Sequence, residues 1–375
     1  MKRILALDGG GIRGVFTLEV LLKIEELLRE HYKQQDPEKA EKFVLRDHFD
    51  FLAGTSTGAI IAACLCWGMS VERVMNLYME HGPKMFQPVP WYRPITKYLI
   101  ARLNAKPLAQ KLQQLFPEKD GKLATLGSPR LRDGAKKNLL MVVVHNLTTG
   151  SAWPLTNNPK AKYNDPSRPD CNLQIPLWKL VRASTAAPTY FPPEEVKLGD
   201  EIRTFVDGGI TPYNNPALIA ALTAILPGYR INWTPGPENI RVVSVGTIQF
   251  SSELRVKNQK FWLGYYAKKI PEALLQSMAW QQDYLCRFLG DCIFGETLDS
   301  EAGDLLADNV ESAPPPGRSW FSYVRYNQTY KKADLKKILS EHPHLAQIDA
   351  VDAIPDLKKV GHEYAERNVE LSHLI

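Results

Sequence analysis

Apolar and polar positions follow two regimes along this chain. Some runs are short and wholly apolar, as buried strands require. In longer stretches apolar residues recur every three or four positions, as amphipathic helices require. Ile4 to Leu7 is the first run of the short kind. Val15, Leu18, Leu21, Leu22 and Leu28 then carry a helical period, with Glu19, Lys23 and Glu26 off that face. A polar loop from Tyr32 to Glu38 leads to a second strand, Phe49 to Ala53, and a second apolar helix, Ala59 to Trp67. Ser70 caps a third helix, with Val71, Val74, Met75, Leu77 and Tyr78 inward and Pro83 expected to end it. Pro107 to Phe116 reads as a short helix. Leu139 to His145 is a β-branched strand with a hairpin partner at Ala152 to Leu155, followed by a polar loop, Asn157 to Asn172.

Pro176 to Ser184 is helical. Val196 to Leu198 and Arg203 to Val206 are strands around a Gly199-Asp200 turn. Asn215 to Ile225 is a helix, and Arg241 to Val245 another buried strand. Strands alternating with helices predict an α/β fold: a mostly parallel central sheet with helices on both faces, in three layers. After about residue 250 the pattern turns helical, at Phe261 to Ala267, Pro271 to Phe288, Lys331 to Ser340 and Asp356 to Asn368. One strand, Trp320 to Tyr326, interrupts it, and a loop at Gly303 to Gly317 carries three successive prolines. The expected organisation is a catalytic core over 1–250 and a mainly helical C-terminal extension over 251–375, packed on the same core. An aromatic- and proline-rich insert at about 82–105, centred on Met85 to Leu103, reads as a lid.

Composition narrows the class. The chain has 375 residues, 44% hydrophobic and 23% charged, which suits a globular protein able to bury a large core. Its net charge of +5 favours anionic surfaces such as phospholipid, but is too dispersed for a nucleic-acid polymer. The five cysteines have no C-x-x-C spacing, which argues against a zinc site and for a reducing compartment; Cys64 and Cys66 read as small core residues. The apolar stretch behind Met1-Lys2-Arg3 stops at Asp8, too soon for a signal peptide. No run approaches the ~18 apolar residues that span a bilayer, so membrane contact is expected to be peripheral.

Three glycine-rich points bring in chemistry. Gly54-Thr55-Ser56-Thr57-Gly58 lies between an apolar strand and an apolar helix, the layout of a nucleophile elbow in which a serine is pushed out at a tight turn. Asp8-Gly9-Gly10-Gly11-Ile12-Arg13-Gly14 joins the first strand to the first helix. Gly9, Gly11 and Gly14 satisfy G-x-G-x-x-G, so a dinucleotide site for an NAD(P)-dependent oxidoreductase is one reading. The next strand, however, delivers a serine elbow rather than a ribose-binding acid. A nest of N–H groups holding an anion near Ser56 explains more. Arg13 would then support that loop or hold a substrate phosphate, and Asp8 would buttress the loop. A serine nucleophile needs a base. Asp207, at a strand end before Gly208 and Gly209, is the better placed candidate, and His145 is the alternative. An aspartate, ordinarily near ~3.9, needs burial to become a useful base.

These motifs, together with Ala183-Ser-Thr-Ala-Ala-Pro188 before Phe191-Pro192-Pro193, resemble the patatin-like phospholipase family over about residues 1–250. The resemblance implies a Ser–Asp dyad lipid acyl hydrolase with Ser56 as nucleophile and Asp207 as general base. It implies an oxyanion hole from Gly9, Gly10 and Gly11 with Arg13, and motif support from Asp8, Gly14, Gly54, Gly58, Gly208 and Gly209. No metal or organic cofactor is then needed. With its helical C-terminal third the chain is further similar to phospholipase effectors of bacterial cyclic-oligonucleotide antiphage systems. That similarity implies a self-associating cytoplasmic protein, switched on by a cyclic di- or trinucleotide, which degrades phospholipid at the inner face of the cell membrane. A constitutive lipase and a non-catalytic lipid-binding scaffold are the alternatives. Arg93 to Arg102 and Lys160 to Arg168 are stretches where an anionic nucleotide would find positive charge.

Overall fold

The computed structural model describes residues 1–85, 103–118, 121–134, 136–250, 263–298, 319–330 and 332–375. Most of the expected lid, the stretch Arg93 to Arg102 and the loop Gly303 to Gly317 lie outside the described residues.

A nine-stranded sheet organises the chain. Its strands are β1 (Lys2–Leu7), β2 (Phe51–Thr55), β3 (Leu139–Asn146), β4 (Ser151–Thr156), β5 (Glu194–Leu198), β6 (Glu201–Asp207), β7 (Ile240–Val245), β9 (Asp291–Phe294) and β10 (Ser322–Tyr326). The spatial order is β5-β6-β3-β2-β1-β7-β10-β9, with β4 paired to β3. Two-residue strands β8 (Gln249–Phe250) and β11 (Thr329–Tyr330) pair separately. From β3 through β2, β1, β7 and β10 to β9 every neighbour is parallel, whereas β4, β5 and β6 are attached antiparallel.

The wholly apolar runs explain the parallel centre, because strands covered on both faces cannot alternate with polar residues. Along β1, Leu5 and Leu7 enter one core and Ile4 and Ala6 the other. The first core is shared with α1 (Gly14–Lys33), α2 (Thr57–Cys66), α3 (Val71–Met85), α4 (Ala105–Leu115), α5 (Leu177–Ser184) and α9 (Ile354–Asn368). The second is shared with α6 (Ala217–Ile225) and α7 (Leu263–Leu289). The three-layer expectation therefore holds, and Cys64 and Cys66 are core residues of α2.

Three local expectations need correction. Helix α3 continues through Pro83 to Met85, because the proline ring holds φ near the helical value and removes a single backbone donor. The two helices expected around Pro271 form one continuous helix, α7. The segment after residue 250, read as helical with one strand, also supplies β9 at the sheet edge. Helix α8 (Lys332–Glu341) and α9 close the chain, and Phe16 of α1 packs on Tyr364 of α9 at 5.3 Å between ring centroids.

Candidate active site

β2 ends at Thr55 and α2 starts at Thr57, so Ser56 makes the whole turn. Its backbone sits at φ 54° and ψ −121°, strained for a residue with a side chain. Gly58 permits the turn: a Cβ there would run into the carbonyl oxygen of Leu7 on β1. One at Gly54 would run into the carbonyl of Gly58. The strained N–H of Ser56 donates to Ser184 Oγ at 2.9 Å, and that hydroxyl donates to the Val143 carbonyl at 2.6 Å. Ser184, at the end of α5, thus ties the elbow to β3.

The strand edges explain how Asp207 arrives. β4 occupies one edge of β3 from Met141 to Asn146. On the other edge β2 pairs up to Thr55–Val143, and β6 takes over at Asp207–Val144. Strand β6 therefore delivers Asp207 to the point where β2 releases Ser56. Ser56 Oγ donates to Asp207 Oδ2 at 2.7 Å, and Gly209 N–H donates to Asp207 Oδ1 at 2.7 Å. Both side chains are buried, with Asp207 3% exposed. Burial pushes the Asp207 carboxyl up to about 7, although the Ser56 and Gly209 hydrogen bonds and the nearby Arg182 charge oppose the shift. Among the described residues no histidine bonds Ser56; His145 lies on β3, paired with Ala152 and Val206.

The glycine loop closes the opposite wall. Gly9 N–H donates to the Asn214 carbonyl at 3.1 Å and is therefore engaged, whereas the N–H groups of Gly10 and Gly11 have no partner among the described residues. Arg13 is 2% exposed and its Nε donates to the Gly10 carbonyl at 3.4 Å, so it braces the loop from behind. Gly14 opens α1 against Thr57, and Gly208 and Gly209 open the turn after β6. Asp8 takes a bidentate contact from Arg325 of β10, at 2.9 and 2.6 Å. Burial opposes the charge on Arg325, and the Asp8 carboxylate outweighs it, holding the guanidinium well above its ordinary range. The partner of Asp8 is thus a residue from the C-terminal third, which the loop sequence alone does not indicate.

Ser56, Asp207, Gly10 and Gly11 line one cavity of about 40 Å³, walled by Leu103, Leu108, Tyr190, Phe191 and Leu275. That is room for roughly a water molecule or two. A protected serine, a carboxylate of raised pKa and two free N–H donors on an apolar cavity form an acyl-transfer constellation. The glycine loop faces the serine elbow: a Cβ on Gly9 would lie 3.1 Å from that of Ser56.

A family model described as patatin-like phospholipase matches residues 5–221. The chain belongs to the patatin-like phospholipase family. This patatin-like chain is 30% identical over 271 residues to a cGAMP-activated phospholipase of Escherichia coli, covering 70% of this chain and 67% of that protein. It is 29% identical over 259 residues to a cGAMP-activated phospholipase of Vibrio cholerae, covering 66% and 64% respectively. A cUMP-AMP-activated phospholipase of Escherichia coli is 27% identical over 317 residues, covering 82% of this chain and 86% of that one. The match thus spans about two thirds of the first two relatives. No helix among the described residues is long and apolar enough to cross a membrane.

Proposed function

We propose that this patatin-like protein is a serine lipid acyl hydrolase that cleaves ester bonds of membrane glycerophospholipids. The observation that carries the reading is the 2.7 Å hydrogen bond from Ser56 Oγ to Asp207 Oδ2, in a cavity shared with the unengaged N–H groups of Gly10 and Gly11. Ser56 Oγ attacks the ester carbonyl while its proton passes to Asp207. The oxyanion of the tetrahedral intermediate accepts hydrogen bonds from Gly10 and Gly11, held by Arg13 and by the engaged Gly9. As the C–O bond breaks, the lysolipid alkoxide takes the proton from Asp207, leaving Ser56 acylated. Water then gives a proton to Asp207 and attacks the acyl-enzyme. Collapse returns the proton to Ser56 and releases the fatty acid. A carboxyl near neutrality both accepts and returns a proton, which supports Asp207 in this role.

The finer part of the proposal is control. The protein acts peripherally at the inner face of the cell membrane, in bacterial antiphage defence, as a homo-oligomer switched on by a cyclic di- or trinucleotide. The names of the three relatives support the switch, and so does a cavity too small for an acyl chain. The test is fatty-acid release from phospholipid vesicles by wild-type, Ser56→Ala and Asp207→Ala proteins, with and without a panel of cyclic di- and trinucleotides. Release that requires both residues and a nucleotide supports the whole reading. Full release without nucleotide leaves a constitutive lipase, and release by Ser56→Ala sinks the dyad.

A further inference from the structure

A second cavity, of about 580 Å³, lies on the outer side of β4, away from Ser56 and Asp207. It is bounded by β4, the loop that follows it, β6 and the end of α6. Its volume is that of a small-molecule site, which spans ~300–1,000 Å³. Three rings line it, Trp153, Tyr163 and Tyr229. Two cations line it as well, each already lying over a ring: Lys162 Nζ is 5.5 Å from the Tyr163 centroid, and the Arg203 guanidinium, which also pairs with Glu201, is 6.0 Å from that of Trp153. The acidic residue in the lining, Asp170, is covered by a bidentate contact from Arg168 at 2.8 and 2.9 Å, so it does not repel an anion with a free charge.

A polar group gives the cavity a recognition function beyond bulk. The carboxamide of Asn172, 8% exposed, lines the cavity and has no partner among the described residues. A carboxamide is suited to reading the edge of a purine or pyrimidine.

We propose that this cavity binds a phosphate-bearing nucleotide, with a base stacked against Tyr163 and Trp153, its edge met by Asn172, and its phosphate facing Lys162 and Arg203. A volume of this size suits a small nucleotide and not a polymer. The position also explains how occupancy reaches the dyad. Trp153 pairs with Val144 on one edge of β3, and Asp207 pairs with the same Val144 on the other. Arg203 sits on β6, the strand that ends in Asp207. A ligand that draws β4 and β6 together therefore acts on the strand pairing that sets the position of the base. This regulatory part rests on the reading of Ser56 and Asp207 as a nucleotide-controlled hydrolase.

The experiment is equilibrium binding of labelled cyclic di- and trinucleotides, with ATP and inorganic phosphate for comparison. It uses full-length wild-type, Ser56→Ala, Tyr163→Ala, Lys162→Ala and Asn172→Leu proteins, with fatty-acid release measured in parallel. The expected result is equal binding by wild type and Ser56→Ala, and binding weakened about tenfold or more in Tyr163→Ala and Lys162→Ala. Asn172→Leu, which removes the amide at similar size, weakens it without lowering the melting temperature. Nucleotide-independent turnover of a short-chain ester stays unchanged in these three cavity variants. Unchanged affinity in all three, or no binding of any nucleotide to wild type, overturns the proposal. Ser56-dependent hydrolysis without nucleotide binding overturns it while the hydrolase reading stands. Binding that maps to the cavity but leaves hydrolysis unaltered upholds the site and removes the switch.

Discussion

Asp207 lies one register position beyond Thr55 on the same edge of β3, opposite Val144 where Thr55 is opposite Val143. The parallel strand that ends in the serine turn and the antiparallel strand that ends in the acid meet end to end. Dyad geometry is therefore a property of strand pairing, which rigid elements hold better than loops do. Asp207→Asn is expected to lower fatty-acid release about 10²–10⁴-fold, because the amide cannot accept the serine proton. Ser56→Ala is expected to lower release to background. Ser56→Ala should melt close to wild type, as judged by circular dichroism.

The raised pKa of Asp207 makes a prediction of opposite sign for activity and for stability. Its folded value of about 7 lies above the ordinary 3.8, so the folded chain holds this proton more tightly than the unfolded chain. The contribution of Asp207 to stability is therefore present at low pH, declines as pH rises between those two values, and is flat above them. On the proposed mechanism hydrolysis needs the carboxylate, so kcat/KM should rise over the upper part of the same window with a midpoint near the folded value. Asp207→Asn should lose this decline in stability, measured as melting temperature against pH.

Ser184 is expected to act on the rate through the position of Ser56. Ser184→Ala leaves the buried Ser56 N–H and the Val143 carbonyl without a partner, at a cost of ~1–3 kcal/mol. The expected outcome is a lower melting temperature and a reduced kcat with KM little changed. An unaltered kcat would mean that the elbow keeps its strained turn without this tether.

Removing Arg325 strands a buried carboxylate. Arg325→Leu should destabilise the fold by about 3–5 kcal/mol in chemical denaturation. The double variant Asp8→Leu, Arg325→Leu should recover a large part of that loss, since neither charge is then left unpaired. A double variant as unstable as Arg325→Leu would show that packing around the pair, rather than charge, is what matters.

Local features were legible in the chain. The elbow, the glycine loop and the acid at the end of β6 each occupy a few consecutive residues, so spacing and side-chain size reveal them. Ile4 to Leu7 of β1, Phe51 to Ala53 of β2 and Leu139 to Val144 of β3 were legible because burial on both faces leaves these runs wholly apolar. What escaped depends on distant partners or on weak local signals. β9 is only Asp291–Phe294, and most of it is exposed, so neither length nor alternation marks it. Arg325 looks like any arginine in an alternating strand until β10 is placed beside β7 and its guanidinium reaches Asp8. Gly9 matches its motif neighbours, yet its N–H is taken by the Asn214 carbonyl, which only the tertiary fold brings there.

The 40 Å³ cavity carries one further consequence. Serine and aspartate are already bonded, so on the proposed mechanism the resting protein lacks only space. A bulky covalent serine probe such as a fluorophosphonate should therefore label Ser56 slowly at rest and quickly once Leu103, Tyr190 and Phe191 have moved apart. The rate of labelling would then report opening of the site directly, in the absence of any lipid.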